Sequence, residues 1–79
     1  MDFYTWLQEN IDPKVISAKH RTEAGGYLGW IYRVHLPCDK RGKGIDIIRF
    51  TDGLVLVLYG AWVTEEAAKA ILLAAKAAQ

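Results

Sequence analysis

The dipeptide Asp52-Gly53 interrupts an apolar stretch of the chain and constrains the fold more than any other feature. Both residue types readily adopt the positive φ angles of a type I′ turn, which joins two antiparallel strands through a two-residue loop. The sequence therefore predicts a β-hairpin whose strands cover residues 45–50 and residues 54 to about 62. In this register Ile48 lies opposite Val57, and Ile47 lies opposite Leu58.

Another hairpin is predicted earlier in the chain, around Gly25-Gly26. Residues 14–23 alternate loosely before this pair. After it, apolar residues occupy every second position up to Pro37, which is typical of a strand with one buried face. This apolar stripe consists of Leu28, Trp30, Tyr32, Val34 and Leu36.

The register of this first hairpin depends on its loop, because a slip of one residue moves every side chain to the other face of the sheet. A two-residue loop places Lys19 and Arg21 on the face of the apolar stripe, whereas a loop one residue longer places Ala18 and His20 there. We favour the longer loop, since it groups Ile16 and Ala18 with the stripe and leaves the cations in solvent.

A short helix is predicted at the start of the chain. Asp2 can cap a helix that runs to about Asn10, in which Phe3, Trp6 and Leu7 share one face. Pro13 lies beyond this helix and stops it.

A longer helix is predicted from Glu65 to about Ala78, capped by Thr64. We expect its small and apolar side to pack on the sheet and its lysine side to face solvent; the first side carries Ala67, Ile71, Ala74, Ala75 and Ala78, and the second carries Lys69 and Lys76. Leu72 and Leu73 fall on the flanks, so one of them is expected to stay exposed as an apolar interface.

The predicted fold is a single α+β domain over residues 1–79, with a four-stranded antiparallel meander and a helix at each end. The strands of the second hairpin are apolar on both faces. Either the helices cover opposite faces, or both cover one face and a partner covers the other. The chain lacks a run of about 18 apolar residues and a basic leader, so we expect a cytoplasmic protein without a membrane span.

Charge is unevenly distributed along the chain, although the net charge is only +1. Between Lys14 and Arg49, eight basic residues stand against three acidic ones, a net charge of +5. The sharpest cluster is the loop 39–44, which carries Lys40, Arg41 and Lys43. We expect these residues, helped by Arg33 and Arg49, to contact an anionic partner; the alternative is a solvated turn. The loop lacks the glycine spacing of a phosphate-binding P-loop.

The sequence predicts neither an enzyme nor a metal or cofactor site. A single cysteine excludes an internal disulfide, and His20 and His35 have no carboxylate or thiol cluster to complete a metal site. Cations beside Cys38 favour a reactive thiolate, but an ordinary loop cysteine is the simpler interpretation. Asp46 and Asp52 do not form an acid pair, because the hairpin turn already explains Asp52.

A small domain of mixed surface charge, with no catalytic constellation and an alanine-rich terminal helix, is similar to the phage-encoded anti-CRISPR proteins. The resemblance rests on size and general character, and no functional residue can be assigned from it. It implies a non-catalytic inhibitor that acts in the host bacterial cell by binding a larger protein or ribonucleoprotein complex, such as a CRISPR effector.

Two other hypotheses remain open. The protein can be a homodimeric structural or regulatory protein, joined through an exposed sheet face or the Leu72-Leu73 edge. It can also bind nucleic acid directly, using aromatic side chains and cations. The pattern argues against this second role, because Trp30 and Tyr32 belong to the apolar stripe and Arg33 lies on the other face.

Overall fold

The computed structural model describes residues 1–22, 24–37, 39–51, 53 and 55–78. In chain order the elements are α1 (Phe3–Asn10), β1 (Ile16–Arg21), β2 (Tyr27–Val34), β3 (Ile45–Phe50), β4 (Val55–Leu58), β5 (Ala61–Thr64) and α2 (Glu65–Ala77). The predicted α+β class, with a helix at each end of an antiparallel sheet, is confirmed. The turn residue Asp52 and the candidate nucleophile Cys38 lie outside the described residues.

The helices begin at the predicted caps. The Asp2 carboxylate accepts a hydrogen bond from the Thr5 N–H at 2.7 Å, and the Thr64 hydroxyl accepts one from the Ala67 N–H at 3.1 Å. Each cap satisfies a backbone donor that the first turn of a helix leaves without a partner. No helix in the described part of the chain is both long and apolar enough to cross a membrane.

Among the described residues the sheet has five strands in the order β1-β2-β3-β4-β5, rather than the predicted four. The predicted last strand is in fact a hairpin, in which Leu58 pairs with Ala61 across Tyr59-Gly60. Tyr59 has a φ of 53° and Gly60 a φ of 76°, as a two-residue type I′ turn requires. The sequence does not indicate this turn, because tyrosine rarely adopts a positive φ.

The register of the β3-β4 hairpin is confirmed. Ile48 pairs with Val57 and Ile47 pairs with Leu58, as the two-residue turn predicts. β3 also pairs with β2 along its whole length, so it is an interior strand. An interior position explains why β3 carries apolar side chains on both faces.

The favoured register of the first hairpin is wrong. Lys19 lies opposite Trp30 and Ala18 opposite Ile31, so Lys19 shares the face of the apolar stripe and Ala18 does not. The register shifts between His20 and Arg21, which apolar alternation does not reveal. The loop closes through Thr22, which exchanges hydrogen bonds with Gly26 through its backbone N–H at 2.6 Å and its hydroxyl at 2.7 Å.

The core lies on one face of the sheet and draws residues from both α1 and α2. The Phe3 ring of α1 meets the Tyr32 ring of β2 edge-on, with centroids 5.6 Å apart. Ile47, which pairs with Tyr32, belongs to the same buried cluster. The buried apolar residues are Phe3, Leu7, Ile11, Val15, Tyr32, Val34, Leu36, Ile47, Leu56, Leu58, Ala68 and Leu72. α1 and α2 therefore cover the same face.

α2 packs on a different side from the predicted one. Ala68 and Leu72 are fully buried, whereas Ile71 is exposed. The lysine side faces α1: Lys76 Nζ donates to the Asn10 carbonyl at 2.7 Å. The prediction placed the lysines in solvent. It is wrong because the aliphatic stems of lysines can cover apolar surface. Leu72, proposed as an interface residue, is part of the core, and the exposed leucine of the pair is Leu73.

Asp12 joins the segment after α1 to the end of β2. Its buried carboxylate accepts hydrogen bonds from the backbone N–H of His35 at 2.8 Å and of Lys14 at 2.9 Å. Burial by itself would raise the pKa of Asp12, but these hydrogen bonds to the charged form outweigh it and lower the pKa. The ionised carboxylate is thus a structural crosslink between two distant segments.

Candidate functional site

The sheet face turned away from α1 and α2 is apolar, and we call it the open face. Its residues alternate along the strands with the core residues: Ile16, Ala18, Ile31, Ile48, Phe50, Val55, Val57 and Trp62. Trp62 is 64% exposed and Ile16 is 55% exposed. Contiguous apolar surface of this kind usually marks an interaction site.

An aromatic row crosses the open face. The Trp62 ring stacks on Phe50 with centroids 5.1 Å apart, and the His20 ring meets Phe50 edge-on at 6.1 Å. Gly29 pairs with both His20 and Phe50, and it has no side chain to separate their rings. A Cβ at Gly29 would overlap the Arg49 carbonyl oxygen, so β2 and β3 pair closely only with glycine there.

A shallow cavity of about 190 Å³ lies on the open face, lined by Ile16, Ala18 and Ile31 and bordered by Arg33 and Asp46. Arg33 donates to both carboxylate oxygens of Asp46, at 2.7 and 3.0 Å. This bidentate contact lowers the pKa of Asp46 and raises that of Arg33. Arg33 therefore does not present a free cation, as the prediction required, but one half of an ion pair.

The loop 39–44, here called the basic loop, is organised by its own acidic residue. The Asp39 carboxylate accepts hydrogen bonds from the backbone N–H of Arg41 at 3.2 Å and of Gly44 at 2.7 Å. Such a turn orders the backbone and directs the neighbouring side chains outward. Lys40, Arg41 and Lys43 are exposed, and none of them has an ion pair with another described residue.

The basic loop adjoins the open face. A Cβ at Gly44 would lie 2.7 Å from Cγ of Arg33, so the loop touches the residue that borders the cavity on this face. The open face and the basic loop thus form one surface, with an apolar centre and three cations at one end.

Arg49 lies elsewhere, on the side of the sheet that carries the helices. It pairs with Trp30 across β2 and β3, and its guanidinium is 3.7 Å from the Glu65 carboxylate. The five predicted binding cations therefore do not form one patch: three lie on the basic loop, Arg33 is paired with Asp46, and Arg49 is on the other face. Alternation alone places Arg33 and Arg49 on opposite faces, but only once the register of β2 and β3 is known.

Arg49 helps to line a cleft of about 400 Å³ at the edge of the helix layer, here called the aromatic cleft. The aromatic residues that line it are Tyr4, Tyr27, Trp30, Tyr32 and Phe50. Tyr32 is buried, as predicted, but Trp30 is only half-buried. The sequence did not predict the cleft, because Tyr4 belongs to α1 and its position depends on where that helix packs.

In the described ranges, no three side chains of His, Cys, Asp or Glu come together in a way that could hold a metal ion. No protein-family model, curated protein sequence or solved structure matches this chain.

Proposed function

We propose that this protein is a non-catalytic binding module that docks its open face and basic loop on a larger protein and inhibits it. The target class that we propose is a nucleic-acid-handling host complex, such as a CRISPR effector. The observation that carries the proposal is the open face itself, an apolar surface that α1 and α2 leave exposed while they cover the other side of the sheet.

The apolar centre supplies affinity. Burying exposed apolar area is favourable by roughly 25 cal/mol per Å², and interface energy concentrates in a few anchors, among which tryptophan is enriched. Trp62 is the most exposed large side chain of the open face and is held in place by its stack on Phe50. A side chain that is already ordered loses little entropy on binding. We therefore assign Trp62 the role of main anchor.

The basic loop supplies selectivity. Lys40, Arg41 and Lys43 favour a partner whose apolar contact is bordered by carboxylates. Nucleases and polymerases present such carboxylates where they hold their divalent metal ions, and a cationic loop can compete for that position. This chemistry gives the basic loop a physical reason to inhibit an enzyme that acts on nucleic acid.

A second copy of the chain is the alternative occupant of the open face, since apolar sheet faces also support homodimers. The charges favour a different partner. Among the described residues of this surface, Asp46 is the carboxylate nearest the cavity, and Arg33 already holds both of its oxygens. Within the described ranges, a second copy therefore offers its partner's basic loop no free acidic group on this face.

The experiment measures cleavage of target DNA by purified CRISPR effectors, each titrated with this protein. We expect inhibition of at least one effector, lost on Trp62→Lys and on joint reversal of Lys40, Arg41 and Lys43 to Glu. The matched control is Leu73→Lys, because Leu73 is also an exposed large apolar residue, on α2, but lies outside the open face.

Inhibition that survives both the Trp62 and the basic-loop variants would contradict the assignment of the surface. Absence of inhibition across effectors of every type would contradict the target class. Sedimentation of the free protein tests the alternative. A dimer that forms with rising concentration and that Trp62→Lys abolishes would favour the homodimer over the hetero-complex.

A further inference from the structure

We infer that the aromatic cleft binds a nucleobase together with its phosphate, as presented by a free nucleotide or by a single strand. This inference does not rest on the proposed function: the cleft lies mainly on the side of the sheet that carries the helices, and it shares Phe50 with the open face.

The rings of the cleft pack on one another in pairs, so a flat ligand can stack on their accessible outer faces. Tyr4 stacks over Tyr32 with centroids 5.8 Å apart and planes 20° apart, while Tyr27 meets Trp30 edge-on at 5.9 Å. Tyr27 is 45% exposed, so its ring is accessible at the mouth of the cleft. Bases stack on such aromatic faces largely independently of sequence, because every base has a π-face.

The cations of the cleft select a negatively charged ligand. Arg49 lines the cavity, and among the described residues its nearest carboxylate oxygen, on Glu65, is 3.7 Å away, which is longer than a hydrogen bond. The Tyr32 hydroxyl accepts a hydrogen bond from Arg49, so the guanidinium offers its other N–H donors to a phosphate. Lys19 does not line the cleft, but its Nζ lies 6.0 Å from the centroid of the Tyr27 ring and so adds a second positive charge nearby.

A cationic ligand is the competing possibility, since cages of aromatic rings also attract quaternary ammonium groups. Asp2 lines the cleft and would favour such a ligand. However, one Asp2 oxygen is engaged in capping α1 through the Thr5 N–H, and Arg49 and Lys19 would both repel a cation. The balance of charge thus favours an anion.

The cleft also has the size and the polar groups that a nucleotide needs. Its volume of about 400 Å³ lies within the roughly 300–1,000 Å³ of small-molecule sites. The hydroxyls of Ser17 and Thr51 line it. The Ser17 hydroxyl can accept or donate a hydrogen bond at the edge of a base, whereas the Thr51 hydroxyl donates to the Leu28 carbonyl at 2.7 Å and can only accept one from the ligand.

The test uses NMR of the full chain at low salt, because its three tryptophans report on separate places. Adenosine monophosphate, uridine monophosphate and a ten-residue oligothymidylate are titrated in turn. We expect the indole N–H signal of Trp30 to shift further than those of Trp6 and Trp62, which do not line the cleft. Shifts with mononucleotides and oligomer indicate recognition of one base and its phosphate; a shift with the oligomer alone indicates a single strand as the source.

Variants measure the contribution of the individual groups to oligothymidylate affinity. Tyr27→Ala is expected to weaken binding about 5- to 150-fold, the range seen for base–aromatic stacking. Arg49→Gln should weaken binding and also reduce the salt dependence by about 0.7 in the slope of log K against log salt. Leu73→Ala is the control and should leave affinity unchanged, because Leu73 is exposed on α2 and does not line the cleft.

Three results would overturn the inference. One is the absence of any Trp30 shift at millimolar nucleotide and with the oligomer. Another is a Trp30 shift caused by tetramethylammonium and by none of the nucleotides, which would make the cleft a cation site. The third is unchanged affinity of a folded Tyr27→Ala protein, with folding checked by its circular dichroism.

Discussion

Asp12 and His35 are joined across 23 positions of the chain: the Asp12 carboxylate accepts the His35 backbone N–H at 2.8 Å, and the same oxygen lies 3.3 Å from the ring Nδ1. The contact fixes the end of β2 to the segment that follows α1. It lies at the end of the sheet from which the basic loop departs, so the stability of that end depends on one ionised side chain.

We expect Asp12→Asn to lower the free energy of unfolding at pH 7 by about 2 kcal/mol, since it removes charge-assisted hydrogen bonds in a buried setting. The pKa of Asp12 is lowered in the folded state. Its contribution is therefore complete above the unfolded value of about 3.9 and is lost as pH falls through the lowered folded pKa. The variant should be less stable at neutral pH and should show less acid dependence below about pH 4.

Urea unfolding of wild type and variant from pH 7 to pH 3 measures both effects. Glu66→Gln is the control, because this carboxylate is exposed and should change stability by less than about 0.5 kcal/mol. Equal stability of Asp12→Asn and wild type at pH 7 would contradict the crosslinking role.

Tyr59 occupies the first central position of the β4-β5 turn with a positive φ of 53°. Asparagine tolerates this conformation better than tyrosine, so Tyr59→Asn should stabilise the fold by about 0.5 to 1 kcal/mol. Gly60→Ala should have the opposite effect, at a cost of about 1 kcal/mol, because a Cβ there meets open space and only the φ of 76° is strained. Thermal unfolding measures both; destabilisation by Tyr59→Asn would argue against the turn.

Gly29 is a position where a methyl group has no room. Gly29→Ala should cost about 3 kcal/mol or prevent folding, because its Cβ would overlap the backbone of β3 at Arg49. Gly42→Ala provides the matched control, since Gly42 also has a positive φ but a Cβ there meets no neighbour within 4 Å. We expect this control to cost only about 1 kcal/mol in a denaturant titration. Similar losses for both variants would contradict the close pairing of β2 and β3.

The neighbouring leucines of α2 test how that helix packs. Leu72→Ala should destabilise the protein by about 3 kcal/mol, because it leaves a cavity in the core. Leu73→Ala, at a residue that is 45% exposed, should cost less than about 1 kcal/mol. The pair is compared by urea unfolding, and a larger loss at Leu73 than at Leu72 would contradict the burial of Leu72 in the core.

Local signals predicted much of this fold. The caps Asp2 and Thr64 and the register that pairs Ile48 with Val57 all follow from residues close in sequence. The wrong predictions are of two kinds. In one, the backbone adopts a conformation that the residue rarely takes; in the other, the packing depends on a segment distant in sequence. The turn at Tyr59-Gly60 is an example of the first kind. The orientation of α2 is an example of the second, since it depends on α1.

The candidate surfaces were less predictable than the fold. The cations of the basic loop are recognisable in the sequence, because Lys40, Arg41 and Lys43 are close neighbours. Predicting the open face requires knowing that both helices pack on the same side of the sheet. The periodicity within a single element does not indicate that side. Predicting the aromatic cleft requires knowing that Tyr4 and Trp30 line the same cavity, which again depends on where α1 packs.

Confining the core to one side of the sheet separates folding from recognition. Most side chains that hold the chain together face the helices, so substitutions on the far side alter what the molecule touches and leave the core intact. Such a scaffold can follow a target that changes over evolutionary time. It also suits deliberate retargeting, in which a library varied at Ile16, Ile31, Ile48, Val57 and Trp62 is selected against new partners.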